Sequence, residues 1–548
     1  MIPLINQEKT VAYTISCHLI RSKYRDSMGL LRSTAVVSSM TMVSRVFGLL
    51  RDMVFTRYFG VDAGTDAFLV AFKIPNFLRR LFAEGAFSQA FVPVLSGVKA
   101  EEGDEAVSDL VRHTLGTLAG ILFIMTVVAA IASPILVMIF APGFIDQPEK
   151  FDLTAEMLRI TFPYILFMSL TALSAGILNS YGHFAVPAFT PVLLNLSLIA
   201  AAIWLAPLMD VPIMALAWGV FIAGLAQLAF QIPFILKLGL LRWPRWGWKH
   251  SGVRHILKLM IPGIFGSSVM QINLLLDTVI ASFLVSGSVT WLYLSDRMVE
   301  LPLGIFGIAL ATVILPNLSQ KHAAGDPDAF SHMLDWALRW VLVIALPASV
   351  ALAVLAGPIL STLFLYGDFK PHDVEMAAIS LLVYSAGLIG FILVKVLAPG
   401  YFARQDTKTP VKVGLIAMFA NMLMNILFVV PMLKLGWPAP HAGLALATTL
   451  SSFINAGLLF LGLKKAGVYS PQSGWMKLFF QTFFAASVMA GVIFTVSGDL
   501  SYWINATATQ RILRMSWIIP LGAVTYFAVL RISGVRFKKL LRPKQSGI

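Results

Sequence analysis

The sequence predicts an all-α polytopic membrane protein with fourteen transmembrane helices. Three observations carry that reading. Hydrophobic residues make up 58% of the chain and charged residues only 12%, about half the share usual in a soluble domain. Apolar runs of about 20 residues or more, the length a helix needs to cross a bilayer, recur from end to end without strand-like alternation. Finally, the chain repeats itself at a shift of about 223 residues, far beyond the period of a solenoid unit.

The runs are bounded by Gly, Pro or charge and lie near 33–58, 66–95, 107–140, 152–179, 184–206, 211–237, 255–284, 289–317, 331–355, 357–366 continuing through 374–402, 411–433, 441–463, 476–497 and 512–533. Between 331 and 402 we read one long helix to about 365, a short loop through Gly367 and Pro371, and a second helix. Residues 1–27 form a polar leader with no small-residue cleavage site, unlike a signal peptide, and the membrane pattern starts just after Met28. A lone cysteine, Cys17, rules out a disulfide framework.

With fourteen spans both termini share a side, and basic residues select it. Arg21 to Arg32 at the front, Arg536 to Lys544 at the back, and the loops holding Lys237 to Lys258, Arg404 to Lys412 and Lys464–Lys465 read as cytoplasmic. The alternate loops carry Asp62, Asp146, Glu149, Asp210, Asp368 and Asp499, whereas Arg511 and Arg514 break the pattern. The net charge of +14 is therefore a positive-inside bias, not a nucleic-acid surface.

The repeat is carried by three landmarks: Phe91–Ser96 with Ile314–Ser319, Ala132–Leu136 with Ala356–Leu360, and Pro187 with Pro410. Each copy holds six spans. An even number keeps both copies in one orientation, related by a pseudo-twofold axis along the membrane normal. The predicted organisation is a leader over 1–27, a six-helix lobe over 28–243, a second over 244–466, two additional helices over 467–533 and a basic tail over 534–548.

Charge inside the first two spans is the strongest functional signal. Ionised groups at membrane depth cost about 2.5–3.5 kcal/mol each even on insertion scales, so a cluster of them implies a hydrated cavity. Asp66, Lys73, Asn76, Arg80 and Glu84 fall at helical spacing on one face of the second span, and Ser44 with Arg51 and Arg45 with Asp52 are each seven apart in the first. The eighth span adds Asp296, Arg297 and Glu300, followed by Pro302, Gly304 and Gly307, which can loosen the helix. Guanidinium groups grip phosphate oxygens bidentately, so Arg45, Arg51, Arg80 and Arg297, with Arg79 adjacent, form a candidate phosphate clamp held open by the neighbouring carboxylates. Asp277 in the seventh span and Asn421 and Asn425 in the eleventh offer oxygen ligands for a hard cation. Lys395 is a further intramembrane cation. No Walker, GxSxG or HExxH pattern occurs, and neither acidic Mg²⁺ motifs nor a nucleophile–base pair stand out, which argues for a transporter and against an enzyme.

At these residues the chain resembles the MurJ (MviN) family of bacterial lipid II flippases. The resemblance rests on SSMTMVSRVFGLLRD at 38–52, TDAF at 65–68, FKIPNFLRR at 72–80, AEGAFSQAFVP at 83–93, RITFPY at 159–164, SDRMVE at 295–300, KVLAPG at 395–400 and RQDTKTP at 404–410. It implies the MOP-superfamily fold, with two extra helices whose groove takes a lipid tail. It also implies an undecaprenyl-diphosphate-linked disaccharide-pentapeptide moved between leaflets of the inner membrane by alternating access, with a place among cell-wall synthesis proteins and a monomeric state. Within the family's functional set, arginines of the first, second and eighth spans and an acidic residue opening the second match Arg45, Arg51, Arg79, Arg80, Arg297 and Asp66. The family's sodium ligands resemble Asp277, Asn421 and Asn425, amides taking two of the three places. The alternative reading is a MOP-type exporter of another lipid-linked oligosaccharide or of drugs, although a drug pump favours an acidic or aromatic pocket over arginines.

Overall fold

A computed structural model describes residues 36–80, 87–240 and 242–536. The leader at 1–27, Glu84 and most of the basic tail lie outside the described residues. Helices run throughout, and no strand occurs among the described residues. This is what a bilayer demands: backbone N–H and C=O groups find no water there, and a helix satisfies them within its own segment.

Eleven helical stretches among the described residues are long and apolar enough to cross a membrane. The other three expected spans fall on helix α1 (36–59), on α2 (Ala63–Arg79) and α3 (Ser88–Glu101) flanking 81–86, and on α10 (Ser251–Ala281). The first lobe continues with α4 (Gly103–Ile131), α5 (Ser133–Phe140), α6 (Pro148–Thr161), α7 (Tyr164–Ser180), α8 (Ala185–Ala200) and α9 (Met214–Lys237). The second copy runs through α11 (Ser288–Pro302), α12 (Ile308–Ala323), α13 (Pro327–Val354), α14 (Ala356–Phe364), α15 (Pro371–Phe402), α16 (Lys408–Lys434) and α17 (His441–Lys465). Last come α18 (Trp475–Ser497), the short α19 (Leu500–Asn505) and α20 (Ala508–Ile532).

Local breaks fall where the sequence supplies a cause, and several recur at the repeat offset. The long helix expected to run to 365 is interrupted at Leu355, just as α4 and α5 part at Ala132, each break two to three residues before a proline. Pro148 and Pro371 each open a helix, where the missing N–H costs nothing. The copies differ at Pro163, which separates α6 from α7, whereas α15 is continuous because the corresponding position is Ala386. Between α11 and α12 the backbone widens into a π-helical turn at Leu303–Gly307, directly after Pro302. That is the loosening anticipated for the eighth span.

Helices from Ala63 to Lys237 pack chiefly on one another, as do those from Ser288 to Lys465, while α10 touches both α3 and α16. α18 and α20 pair with each other and lean on α13 and α14. The packed interiors follow the same division, one centred on Leu334, Leu381 and Leu459 and another on Phe68, Met157 and Leu216. Buried Arg511 explains one exception to the charge pattern. It donates to the carbonyls of Ser361 and Leu365, each at 2.9 Å, and of Ala506 at 3.0 Å, satisfying the C-terminal end of α14, and so serves packing instead of topology. In the RQDTKTP turn, Asp406 accepts from Thr409 at the start of α16, and those hydrogen bonds hold its carboxyl below the usual range.

Candidate functional site

Two charged clusters line the contact between the copies, both organised by α11. One face of α11 is fastened to α15 within its own copy: Trp291 Nε1 donates to Asp373 at 3.0 Å, and Ser295 Oγ to the Ala377 carbonyl at 2.7 Å. The opposite face meets the first copy.

At its N-terminal end, Asp66 of α2 accepts from the backbone N–H of Gly287 at 2.7 Å and of Thr290 at 3.0 Å, and from Thr290 Oγ1 at 2.8 Å. A carboxylate on the unsatisfied N–H groups of a helix start is favourable twice over, by hydrogen bonding and by the helix dipole. Lys150 at the start of α6 completes the site at 3.1 Å from Asp66, with both side chains almost fully enclosed. Nearby, the Asp368 N–H donates to the Arg57 carbonyl at the end of α1, at 3.0 Å. Gly367, at φ +61°, lies so close to that carbonyl that a side chain there would collide with it. The two copies are thus sealed together at the end carrying the acidic loops.

Two turns further along α11 lies the arginine cluster. Asp52, buried in α1, is shared by three donors: Arg51 Nε at 3.0 Å, Tyr293 hydroxyl at 2.9 Å and Arg297 Nε at 3.1 Å. Arg51 also donates to Tyr293 Oη at 2.6 Å and to Asn195 Oδ1 of α8 at 3.2 Å, and Asn195 in turn donates to the Ser44 carbonyl. Arg297 reaches Glu300 at 2.7 Å, and Arg45 approaches the Glu300 carbonyl at 3.5 Å. Gly304, in the π turn, leaves the space that the Arg45 guanidinium occupies. Exposure rises along this path, from 12% for the Arg51 side chain to 33% for Arg297 and 42% for Glu300. One end of the network is enclosed and the other is accessible.

A third group joins α10, α16 and α17. Asn425 and Asn421 donate amide N–H bonds to Asp277 at 2.7 and 3.2 Å, and Asn421 also donates to Asn273 at 2.9 Å. The side-chain oxygens of Asn421 and Asn425 are buried without a partner, and Thr448 of α17 lies beside Asp277. One carboxylate and two orphaned amide oxygens are donors of the kind a hard cation takes, once the amides, whose N–H groups face Asp277 here, are turned over. Lys73 of α2 lies within electrostatic reach of both Asp277 and Asp296, connecting this group to α11.

The sequence-derived candidates therefore separate. Ser44, Arg45, Arg51, Arg297 and Glu300 come together, and Asp66 belongs to the seal. Asn76 accepts from Arg79 within α2 at 2.9 Å, Arg80 is exposed at the end of that helix, and Glu84 is outside the described residues. Sequence reasoning passed over Asn195, Tyr293 and Lys150. A single Asn within an apolar span and a lone Lys in an acidic loop were the available signals for two of them. An apolar cavity of about 430 Å³ lies between α13, α15 and α17, lined by Leu342, Leu393, Phe453 and Phe460 together with Trp475 of α18.

The fold resembles that of an inward-facing multidrug resistance MATE family transporter of the MOP superfamily, at TM-score 0.59 over 79% of this chain and 98% of that one. At 14% identity that likeness concerns the fold alone. Fold and charged interfaces define a multi-pass helical membrane protein. A family model described as lipid II flippase MurJ matches residues 55–513. A probable lipid II flippase MurJ of Vibrio cholerae is 47% identical, covering 94% of this chain and 98% of that protein. The corresponding protein of Burkholderia cenocepacia is 42% identical over 93% and 98%. A solved structure of lipid II flippase MurJ in an inward closed conformation superposes at TM-score 0.76 with 26% identity, covering 93% and 100%. The chain belongs to the MurJ family, whose members are transporters and not enzymes.

Proposed function

We propose that this protein carries lipid II, the undecaprenyl-diphosphate-linked peptidoglycan precursor, from the inner to the outer leaflet of the bacterial inner membrane by alternating access. The observation behind this reading is the meeting of Arg51 on α1 and Arg297 on α11, from opposite copies, around one buried carboxylate. Family membership supports the substrate. A diphosphate linked at both ends gathers four unesterified oxygens on one compact group, as many as Asp52 and Glu300 spread over two side chains, and bidentate geometry lets it displace those carboxylates from the arginines.

The cycle follows from differential binding, since a ligand moves an equilibrium only by preferring one state. With the termini cytoplasmic, the acidic-loop end faces outward, and the Asp66 seal closes that side. Diphosphate entering from the cytoplasm draws Arg45, Arg51 and Arg297 together, and rocking of the two lobes then breaks the seal. The sugar-peptide rides in the hydrated cleft, and the prenyl tail stays in lipid or in the apolar cavity beside α18. Sodium at Asp277, Asn421 and Asn425 would replace Lys73 as the counter-charge of Asp277 and so couple the ion to α2. Membrane potential supplies about 2.3 kcal/mol per charge per 100 mV to the same cycle.

The test is leaflet exposure of lipid II in cells depleted of their own flippase. The wild-type chain is expected to restore exposure, and Arg51→Ala and Arg297→Ala, at equal membrane abundance, to fail. Equal rescue by the arginine variants would reduce them to helix-packing residues. Failure of the wild type would remove lipid II as the substrate.

A further inference from the structure

Outside the transport path, the segment joining the two copies carries a constellation of its own. Residues 242–250 form an extended strap laid across α4. The Arg245 N–H donates to the Arg112 carbonyl at 3.2 Å, and the Gly247 N–H to Thr117 Oγ1 at 2.9 Å. These bonds set His250, the last strap residue before α10, beside Asp109 and His113, one helical turn apart on α4.

We infer that Asp109, His113 and His250 form a zinc-class metal site that clips the strap to α4.

Asp109 Oδ2 lies 3.4 Å from His113 Nδ1 and 3.3 Å from His250 Nε2. A tetrahedral ion with bonds of about 2.0–2.1 Å has ligand-to-ligand edges of roughly 3.3–3.4 Å, so two edges are already at bonding separation. All three ligand atoms fall within 4.8 Å of one another. The two imidazole rings lie side by side, their centres 4.8 Å apart and their planes 21° from parallel, so both reach the space beside Asp109. His250 Nδ1 is enclosed without a hydrogen bond, so the ring is not pinned to another partner. Asp109 remains 47% exposed, which admits an ion and leaves a fourth position for water. Two imidazoles with one carboxylate suit zinc better than calcium or magnesium, which prefer oxygen. Binding displaces the contact of His113 Nδ1 with the Asp109 carbonyl, 2.9 Å away. It also immobilises the start of α10, the helix that touches both copies.

The experiment uses the full-length protein, stripped of metal in detergent. Titration with Co²⁺ is expected to give one equivalent of binding with tetrahedral visible absorption, competed away by Zn²⁺. His113→Gln and His250→Gln should each weaken it by at least about 100-fold, more than loss of an outer-shell partner does. Arg245 and Lys249 are exposed on the strap, so limited trypsin cleavage there reads its mobility independently. Zn²⁺ should slow that cleavage about tenfold in the wild type and leave it unchanged in His250→Gln. The proposal is overturned by absence of saturable binding at micromolar metal, or by binding that both His variants retain. Protection of the strap by Zn²⁺ in His250→Gln would overturn it equally.

Discussion

Replacing Asp66 by Asn tests the seal at the acidic-loop end. In the wild type, Oδ1 takes both Thr290 donors, and Oδ2 takes the Gly287 N–H and the Lys150 ammonium. An Asn keeps one carbonyl oxygen for Thr290 but turns an NH₂ toward two donors. Two hydrogen bonds are lost, and Lys150, 3% exposed, is left with the Ser286 hydroxyl at 3.3 Å and the Phe144 ring centre at 4.2 Å. Removing one member of a buried ion pair costs about 3–5 kcal/mol, much of it the stranded charge. If the loss falls on the sealed state alone, the ratio of sealed to open protein drops by roughly two to three and a half orders of magnitude. Lys150→Met leaves Asp66 with the Gly287 and Thr290 donors at the helix start and should cost less. The double variant strands no charge, leaving only the Gly287 N–H without an acceptor, and should recover part of the loss, giving a coupling energy of at least about 2 kcal/mol. Thermal unfolding of the four proteins in one detergent measures the cycle. Reactivity of a cysteine at Ser288, buried between the Gly287 and Thr290 donors of the seal, toward a membrane-impermeant reagent reports opening. Additive single effects, or a loss under about 0.5 kcal/mol for Asp66→Asn, would refute the reasoning.

Four further outcomes are expected. Gly304→Ala should push the Arg45 guanidinium out of its place and abolish lipid II exposure at unchanged protein abundance; rescue equal to wild type would count against Arg45 in the clamp. Tyr293→Phe removes the hydroxyl bridging Arg51 and Asp52, worth about 1.5–3 kcal/mol for bonds to charged groups, and should slow flipping roughly tenfold or more with little change in melting temperature. Arg511→Met orphans three or more carbonyls around the ends of α14 and α19 and should cost about 2–4 kcal/mol in thermal unfolding while leaving the arginine cluster intact. Na⁺ at a hundredfold its dissociation constant should stabilise the wild type by about 2.7 kcal/mol relative to K⁺ at equal ionic strength, and Asp277→Asn should abolish the difference.

Helix placement was largely legible because the bilayer enforces it locally. An apolar run of the right length must satisfy its own backbone, and Pro302 and Pro371 mark a loosening and a helix start that the structure shows. The break at Leu355 was missed because nothing in that apolar stretch stops a helix except Pro358, which helices tolerate in their first turn. The polar faces were visible as spacing: Arg45 and Arg51 on α1 and Arg297 on α11 do converge. Asp66 shares its helix with Lys73 and looked like part of the same cleft. Instead it meets Lys150, a residue 84 positions away that the charge count of its loop did not single out.

The chain by itself determined that it crosses the membrane many times, that its architecture recurs at one offset, and which helix faces are polar. Each of these depends on neighbours within a few turns or on a repeat that can be counted. Only the tertiary structure decided which carboxylate each cation meets. Helix crossing fixes those partners, bringing Asn195 and Tyr293 to Arg51 across 144 and 242 residues, and a helix's own periodicity contains no information about where another helix will cross it.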